Sequence, residues 1–110
     1  MHAVAIHNDI VEQHPWLPRA VFDAYVEAKQ QMYSHMDKMG WATNSIPWFA
    51  KELEETKALM GENFWPYGIK PNQKALEALF QYSYEQGFAK RKLKISDLFL
   101  PQSLEFMENA

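Results

Sequence analysis

Phe64-Trp65-Pro66-Tyr67-Gly68-Ile69-Lys70-Pro71-Asn72 is the stretch on which the reading of this 110-residue chain turns. Between Trp65 and Pro71 it sets two Pro, one Gly and two large aromatics, and a clean helical pattern follows as far as Gly87. Pro66-Tyr67-Gly68 is expected to turn tightly, because Pro presets one backbone dihedral and Gly permits a positive one. Pro71 and Asn72 should then start a helix that buries Ala75, Leu76, Leu79, Phe80 and Ser83, with Tyr82 and Tyr84 flanking that face. Gly87 closes it.

Working outward, Ser45 is placed to cap a preceding helix, with Pro47 in its first turn. Phe49, Leu53, Thr56 and Met60 share one face there, with Ile46 and Ala50 beside them, and Gly61 stops the helix. Lys51 with Glu55, and Glu54 with Lys57, are spaced for surface ion pairs worth roughly 0.2–0.5 kcal/mol each. Trp41-Ala42-Thr43-Asn44 reads as a loop. Before it, His14-Pro15-Trp16-Leu17-Pro18 opens the longest helix, which runs to Gly40. Val21, Tyr25, Ala28, Met32 and Met36 recur at helical spacing as one apolar stripe, widened by Phe22 and Val26. Glu27, Lys29 and Gln30 are assigned to the wet side.

At the N-terminus, Ala3-Val4-Ala5-Ile6 reads as a short buried strand. Asn8 to Gln13 forms at most a loose helical turn. A lone strand cannot satisfy its own backbone donors and acceptors. It therefore needs the weak strand candidate Lys92-Leu93-Lys94-Ile95, another chain, or a sheet elsewhere. Near the C-terminus, Ser96-Asp97 caps a short turn over Leu98-Phe99-Leu100. Pro101 breaks it, and Ser103 starts a last helical turn through Leu104, Phe106 and Met107. The fold class is mainly α: three main helices plus one short N-terminal strand, in a single domain over residues 1–110.

Composition narrows the function classes. A net charge of -3 argues against a nucleic-acid phosphate binder. The absence of Cys removes disulfides, thiolate nucleophiles and Cys-based zinc sites together. No apolar run is long enough to span a membrane, and no signal-peptide pattern opens the chain. Four Trp, five Tyr and seven Phe imply either a dense aromatic core or a surface that docks on something else.

No reactive constellation emerges from the residues. His2, His7, His14 and His35 match no metal-ligand spacing, so no metal is expected, and no cofactor either. His2 stands out because it sits at the mouth of the strand, where open α/β sheets often face a ligand crevice. Glu52, Glu54 and Glu55 point around a helix and not toward one another. No nucleophile elbow and no phosphate-cradling Gly loop occurs. Trp65 and Tyr67 could stack on an aromatic ligand, but plugging a joint between elements is the commoner use of such a pair. Lys90-Arg91-Lys92 reads as a solvated run.

A resemblance carries more. His14-Pro15-Trp16, Pro47-Trp48 with Leu53-Glu54-Glu55-Thr56, Trp65-Pro66-Tyr67-Gly68, Asn72 with Leu76-Glu77-Ala78, and Tyr84-Glu85-Gln86-Gly87 ahead of Asp97-Leu98-Phe99 together resemble the C-terminal part of the 4,5-dihydroxyphthalate decarboxylase family. That family has the type II periplasmic-binding-protein-like α/β fold, near the nitrate and taurine solute-binding proteins: two lobes around a cleft. The resemblance implies that this chain is the C-terminal segment of a larger two-lobed protein that decarboxylates an aromatic carboxylic acid, and that the segment is inactive alone. It implies a missing N-terminal lobe as partner, an aromatic carboxylate as ligand of the whole protein, and His2 and Tyr67 as substrate-binding contacts. No catalytic residue is assigned. The alternatives are a fragment of a transporter's periplasmic solute-binding protein, or a helical self-associating interaction module. The location would be cytoplasmic for the decarboxylase and periplasmic for the solute binder. Uncovered faces rich in Trp16, Trp41, Trp48 or Trp65 would favour homo-oligomers.

Overall fold

A computed structural model describes residues 2–38 and 46–108. Its helices are α1 (Asn8–Gln13), α2 (Leu17–Asp37), α3 (Phe49–Met60), α4 (Ile69–Glu85) and α5 (Ile95–Leu98), followed by a 3-10 helix at Pro101–Glu105. Among the described residues there is no strand. The strand expected at Ala3–Ile6 is irregular chain, with no bridge from it to a second extended segment among the described residues. Its proposed partner, Lys92–Ile95, is diverted into a helix start. The Asp97 carboxylate accepts the Lys94 N–H at 2.8 Å and the Arg91 guanidinium at 2.8 Å, which turns Ile95 into the first residue of α5. Arg91 is thus a tethered charge and not a purely solvated one. Pro101 likewise opens the 3-10 helix, with Ser103 donating its hydroxyl back to the Leu100 carbonyl.

The helix ends follow local chemistry. Gly87, at φ 77°, terminates α4 with Gly87 N–H on Tyr84 O and Phe88 N–H on Ser83 O, the paired bonds of a Schellman motif. Gly61 ends α3 at φ 91°. The start of α4 comes two residues before Pro71, at Ile69, because Asn72 Nδ2 donates to the carbonyls of both Pro66 and Gly68 and ties the turn to the helix. Helix α3 is preceded by Trp48 at φ 64°, a left-handed backbone carrying a large side chain. The expected Ser45 cap, the Trp41–Asn44 loop and the Gly40 stop lie outside the described residues. Helix α1 is a full element where the sequence suggested a loose turn, capped by the His7 imidazole accepting from the Asp9 N–H. The Lys51–Glu55 pair forms at 3.6 Å, whereas Lys57 turns from Glu54 to Asp37, at 2.5 Å, and Glu62, at 3.1 Å.

Packing differs most from expectation on α2. The side that faces the rest of the chain runs Pro18, Phe22, Val26, Lys29, Tyr33. It includes Phe22 and Val26, which were expected to widen the Val21–Tyr25–Ala28–Met32–Met36 stripe, and it is turned by about 100° from the stripe's centre, whose ends Val21 and Met36 are half-buried. Tyr25 is 50% and Met32 47% exposed, and Ala28 is exposed as well. Lys29, assigned by its charge to the wet side, is only 5% exposed.

Helix α4 packs on the 3-10 helix, and the residues after that helix reach across to α2. Phe106 meets Phe22 with ring centroids 5.3 Å apart, and Arg19 lies 5.3 Å over the Phe106 ring. Lys70 pairs with Glu105 at 2.5 Å. Gly68 shows how closely the tail lies on the aromatic turn: a Cβ there would sit 2.8 Å from the Phe106 carbonyl oxygen, and its φ is 108°. The C-terminal tail therefore joins α4 to α2.

Among the described residues the buried apolar core is small: Val26, Leu76 and Phe80. A compact monomer of 12.9 kDa exposes about 6,300 Å², and this chain exposes 8830 Å². Its radius of gyration is 17.3 Å, against about 13 Å for a compact domain of this length. Trp16, Trp48, Trp65, Leu59, Phe88 and Leu98 add to the exposed apolar surface.

Candidate functional site

Among the described residues, the densest polar chemistry surrounds Lys29. Helix α2 brings Lys29 and Tyr33, one turn apart, against the Asn63–Tyr67 segment, and the tail adds Glu108. Lys29 Nζ donates to Asn63 Oδ1 at 2.9 Å, to the Trp65 carbonyl at 2.7 Å, and to Glu108 Oε1 in an ion pair. An ammonium has three N–H groups, and all three are engaged. The same nitrogen lies 4.2 Å from the centroid of the Tyr67 ring and 5.6 Å from that of Tyr33. Aromatic faces attract a cation more strongly where water is excluded.

Glu108 is held as completely. Its Oε1 accepts from Lys29 and from the Tyr67 backbone N–H at 2.8 Å, and its Oε2 accepts from Asn63 Nδ2 at 2.5 Å. Tyr33 closes the circuit. Its hydroxyl accepts the Trp65 N–H at 2.9 Å and donates to Asn63 Oδ1 at 3.4 Å, and its ring packs 4.9 Å from Phe64. Burial, the larger effect, pushes the Tyr33 phenol above its ordinary range; the Trp65 N–H pulls the other way and the charge on Glu108 adds to the rise. With the three Lys29 donors matched and its charge met by Glu108, the cluster joins three separated parts of the chain.

The two site residues expected from the sequence fall differently. Tyr67 belongs to this cluster through its ring and its backbone N–H, half-buried in the joint between the turn, α2 and the tail. His2 lies exposed in the N-terminal segment, and no hydrogen bond, ion pair or ring contact joins it to Tyr67. The indole of Trp65 faces solvent while its backbone N–H and carbonyl serve the cluster. Lys29, Asn63 and Glu108 were missed. The available signal was that Lys29 continues the Phe22–Val26–Tyr33 line at helical spacing, but its charge argued for solvent.

Two surface clefts flank α2. One, of about 370 Å³, is lined by Glu27, Gln30, Gln31, Ser34, His35 and Lys38. The other, of about 200 Å³, lies between Asp23, Val26, Glu27 and Gln30 on one side and Met107 and Glu108 on the other. Neither is lined by His2 or Tyr67. Among the described residues no group of three or more His, Asp or Glu could hold a metal ion, and no helix is long and apolar enough to cross a membrane.

No family profile matches the chain. It is similar to the 4,5-dihydroxyphthalate decarboxylase of Comamonas testosteroni, 30% identical over 105 residues. The matched region covers 96% of this chain and 32% of that protein, so the chain spans about a third of the length of the relative it matches.

Proposed function

We propose that this chain is the C-terminal segment of a decarboxylase acting on an aromatic dicarboxylate such as 4,5-dihydroxyphthalate, with catalysis residing in a two-lobed protein of which it forms one part. The single observation that carries the reading is the match to the Comamonas testosteroni enzyme across nearly all of this chain and a third of that one. The open surface supports it. An apolar stripe on α2 and exposed indoles are what a segment presents when further protein is meant to cover them.

The reaction sets requirements that this segment does not meet alone. Loss of a carboxyl group as CO2 leaves an electron pair on a ring carbon. That carbon must be protonated, and the developing charge stabilised by a cation or electron sink. The buried cation of this segment, Lys29, has its three donors committed to Asn63, Trp65 and Glu108. Its role in this reading is to fix the aromatic turn that carries Tyr67. His2 and Tyr67 are then substrate contacts completed by the missing lobe, and the segment alone has no turnover. Lacking that lobe, it self-associates through its uncovered apolar faces.

A chimera tests this. The first two-thirds of the Comamonas testosteroni protein is joined to this chain in place of its own matching segment. The product should convert 4,5-dihydroxyphthalate to 3,4-dihydroxybenzoate and CO2, while the 110-residue chain alone should not. A folded chimera without turnover, or turnover by the isolated chain, would overturn the proposal.

A further inference from the structure

We infer that Lys29, Asn63 and the Tyr67 backbone N–H form a carboxylate-binding cradle, occupied here by the chain's own Glu108, that accepts a free aromatic carboxylate when the tail is withdrawn. Three observations point the same way. The donors come from α2 and the Asn63–Tyr67 segment, so the cradle is built without the tail. They address both oxygens of one carboxylate: Oε1 takes Lys29 Nζ and the Tyr67 N–H, and Oε2 takes Asn63 Nδ2. The cation is almost wholly buried and lies against the faces of Tyr67 and Tyr33, where the ring of an arylcarboxylate has aromatic neighbours.

Glu108 follows the last helical element, and its nearest anchors in sequence are Phe106 on Phe22 and Glu105 on Lys70. Withdrawal takes one of its three acceptors from the buried Lys29 ammonium and frees the part-buried Tyr67 N–H and the exposed Asn63 amide; the loss at the buried ammonium is the costly one. A carboxylate from solution restores all three contacts. Its way in is the cleft of about 200 Å³ beside Met107 and Glu108, whose other wall carries Asp23 and Glu27. Arg19 pairs with Asp23 at 3.0 Å, while Glu27 is bonded to the uncharged Gln31 amide. An incoming anion meets the Glu27 carboxylate, so affinity is expected in the millimolar range, roughly 4 kcal/mol of binding free energy.

Binding by this chain alone, read from stability, is independent of any turnover, so it can fail while the decarboxylase reading survives, and the reverse. The test is thermal unfolding of the 110-residue chain and of Glu108→Ala in sodium benzoate, sodium acetate and sodium chloride at equal ionic strength. Glu108→Ala should melt lower than the parent. In benzoate at about ten times its dissociation constant it should recover by roughly 5 °C or more. Acetate should recover less, and chloride nothing. The parent, its cradle filled, should respond equally to all three salts. If Glu108→Ala does not fold, Glu108→Gln replaces it, with the Tyr67 amide resonance followed during benzoate titration. Recovery by chloride equal to benzoate, the same recovery in Lys29→Met/Glu108→Ala, or an unmoved Tyr67 amide in Glu108→Gln would overturn the assignment.

Discussion

The two sides of α2 behave as though they belonged to different proteins. One carries Pro18, Phe22, Val26, Lys29 and Tyr33 and is closed by the aromatic turn and the C-terminal tail. The other carries Tyr25, Ala28 and Met32 and faces solvent. The closed side contains a charge, and the open side is apolar. Hydrophobicity alone would neither put Lys29 on the closed side nor leave Met32 in solvent. The closed side is held by matched polar groups as much as by oil: a lysine is buried because three acceptors, one of them a carboxylate, and two rings are assembled for it. The open side has the composition of an interior surface, which is how the proposed larger protein would use it.

The strongest way to break the contrast is at Lys29. Lys29→Met leaves Glu108 buried without its cation and should cost about 3–5 kcal/mol. With only Val26, Leu76 and Phe80 as buried apolar core among the described residues, that should abolish the cooperative transition in urea. Gly68→Ala should come next. It forces a β-carbon against the Phe106 carbonyl at φ 108°, with a loss of about 1–3 kcal/mol. The tail should loosen with it, seen as faster amide exchange after residue 100. Tyr33→Phe removes one hydroxyl that serves both Trp65 and Asn63, and should cost about 1 kcal/mol in chemical denaturation. Tyr25→Ser and Met32→Ser, on the open side, should move monomer stability by no more than about 0.5 kcal/mol.

Two pH effects sharpen the same picture at its edges. The Arg91 guanidinium and the Lys94 N–H hold the Asp97 carboxyl below its usual range. Their contribution is present above the ordinary Asp pKa and is lost as pH falls through the lower folded value. Asp97→Asn should therefore flatten the acid limb of the stability profile. Tyr33 has the opposite sign. Its raised folded pKa means the unfolded chain gives up the phenolic proton first above pH 10, so stability falls as pH rises there, and Tyr33→Phe removes that slope.

Much of the helical layout could be read from local chemistry, since Gly61, Gly68 and Gly87 each mark a boundary that the backbone then uses. The burial of Leu76 and Phe80 was legible from helical spacing, whereas Pro66–Gly68, expected as a tight turn, is irregular chain with a bend at Gly68 and no turn hydrogen bond across it. What could not be read was direction. The apolar periodicity of α2 identified a face correctly as apolar, but nothing local says whether this chain or something else covers it. The strand at Ala3–Ile6 failed in the same way, because β-structure needs a partner that no nearby residue supplies. The Lys29 cluster was invisible because its members are 34 and 79 residues apart in the chain, and no spacing rule links an interior lysine to an acid in the tail. Of the two expected site residues, Tyr67 enters a built cluster and His2 does not.

Sedimentation velocity of the isolated chain over a wide concentration range tests most directly whether the open side of α2 is an interface. The account predicts a sedimentation coefficient that rises with concentration, and a flat one for Tyr25→Ser/Met32→Ser. A parent chain that sediments as one monomeric species at every concentration would contradict it.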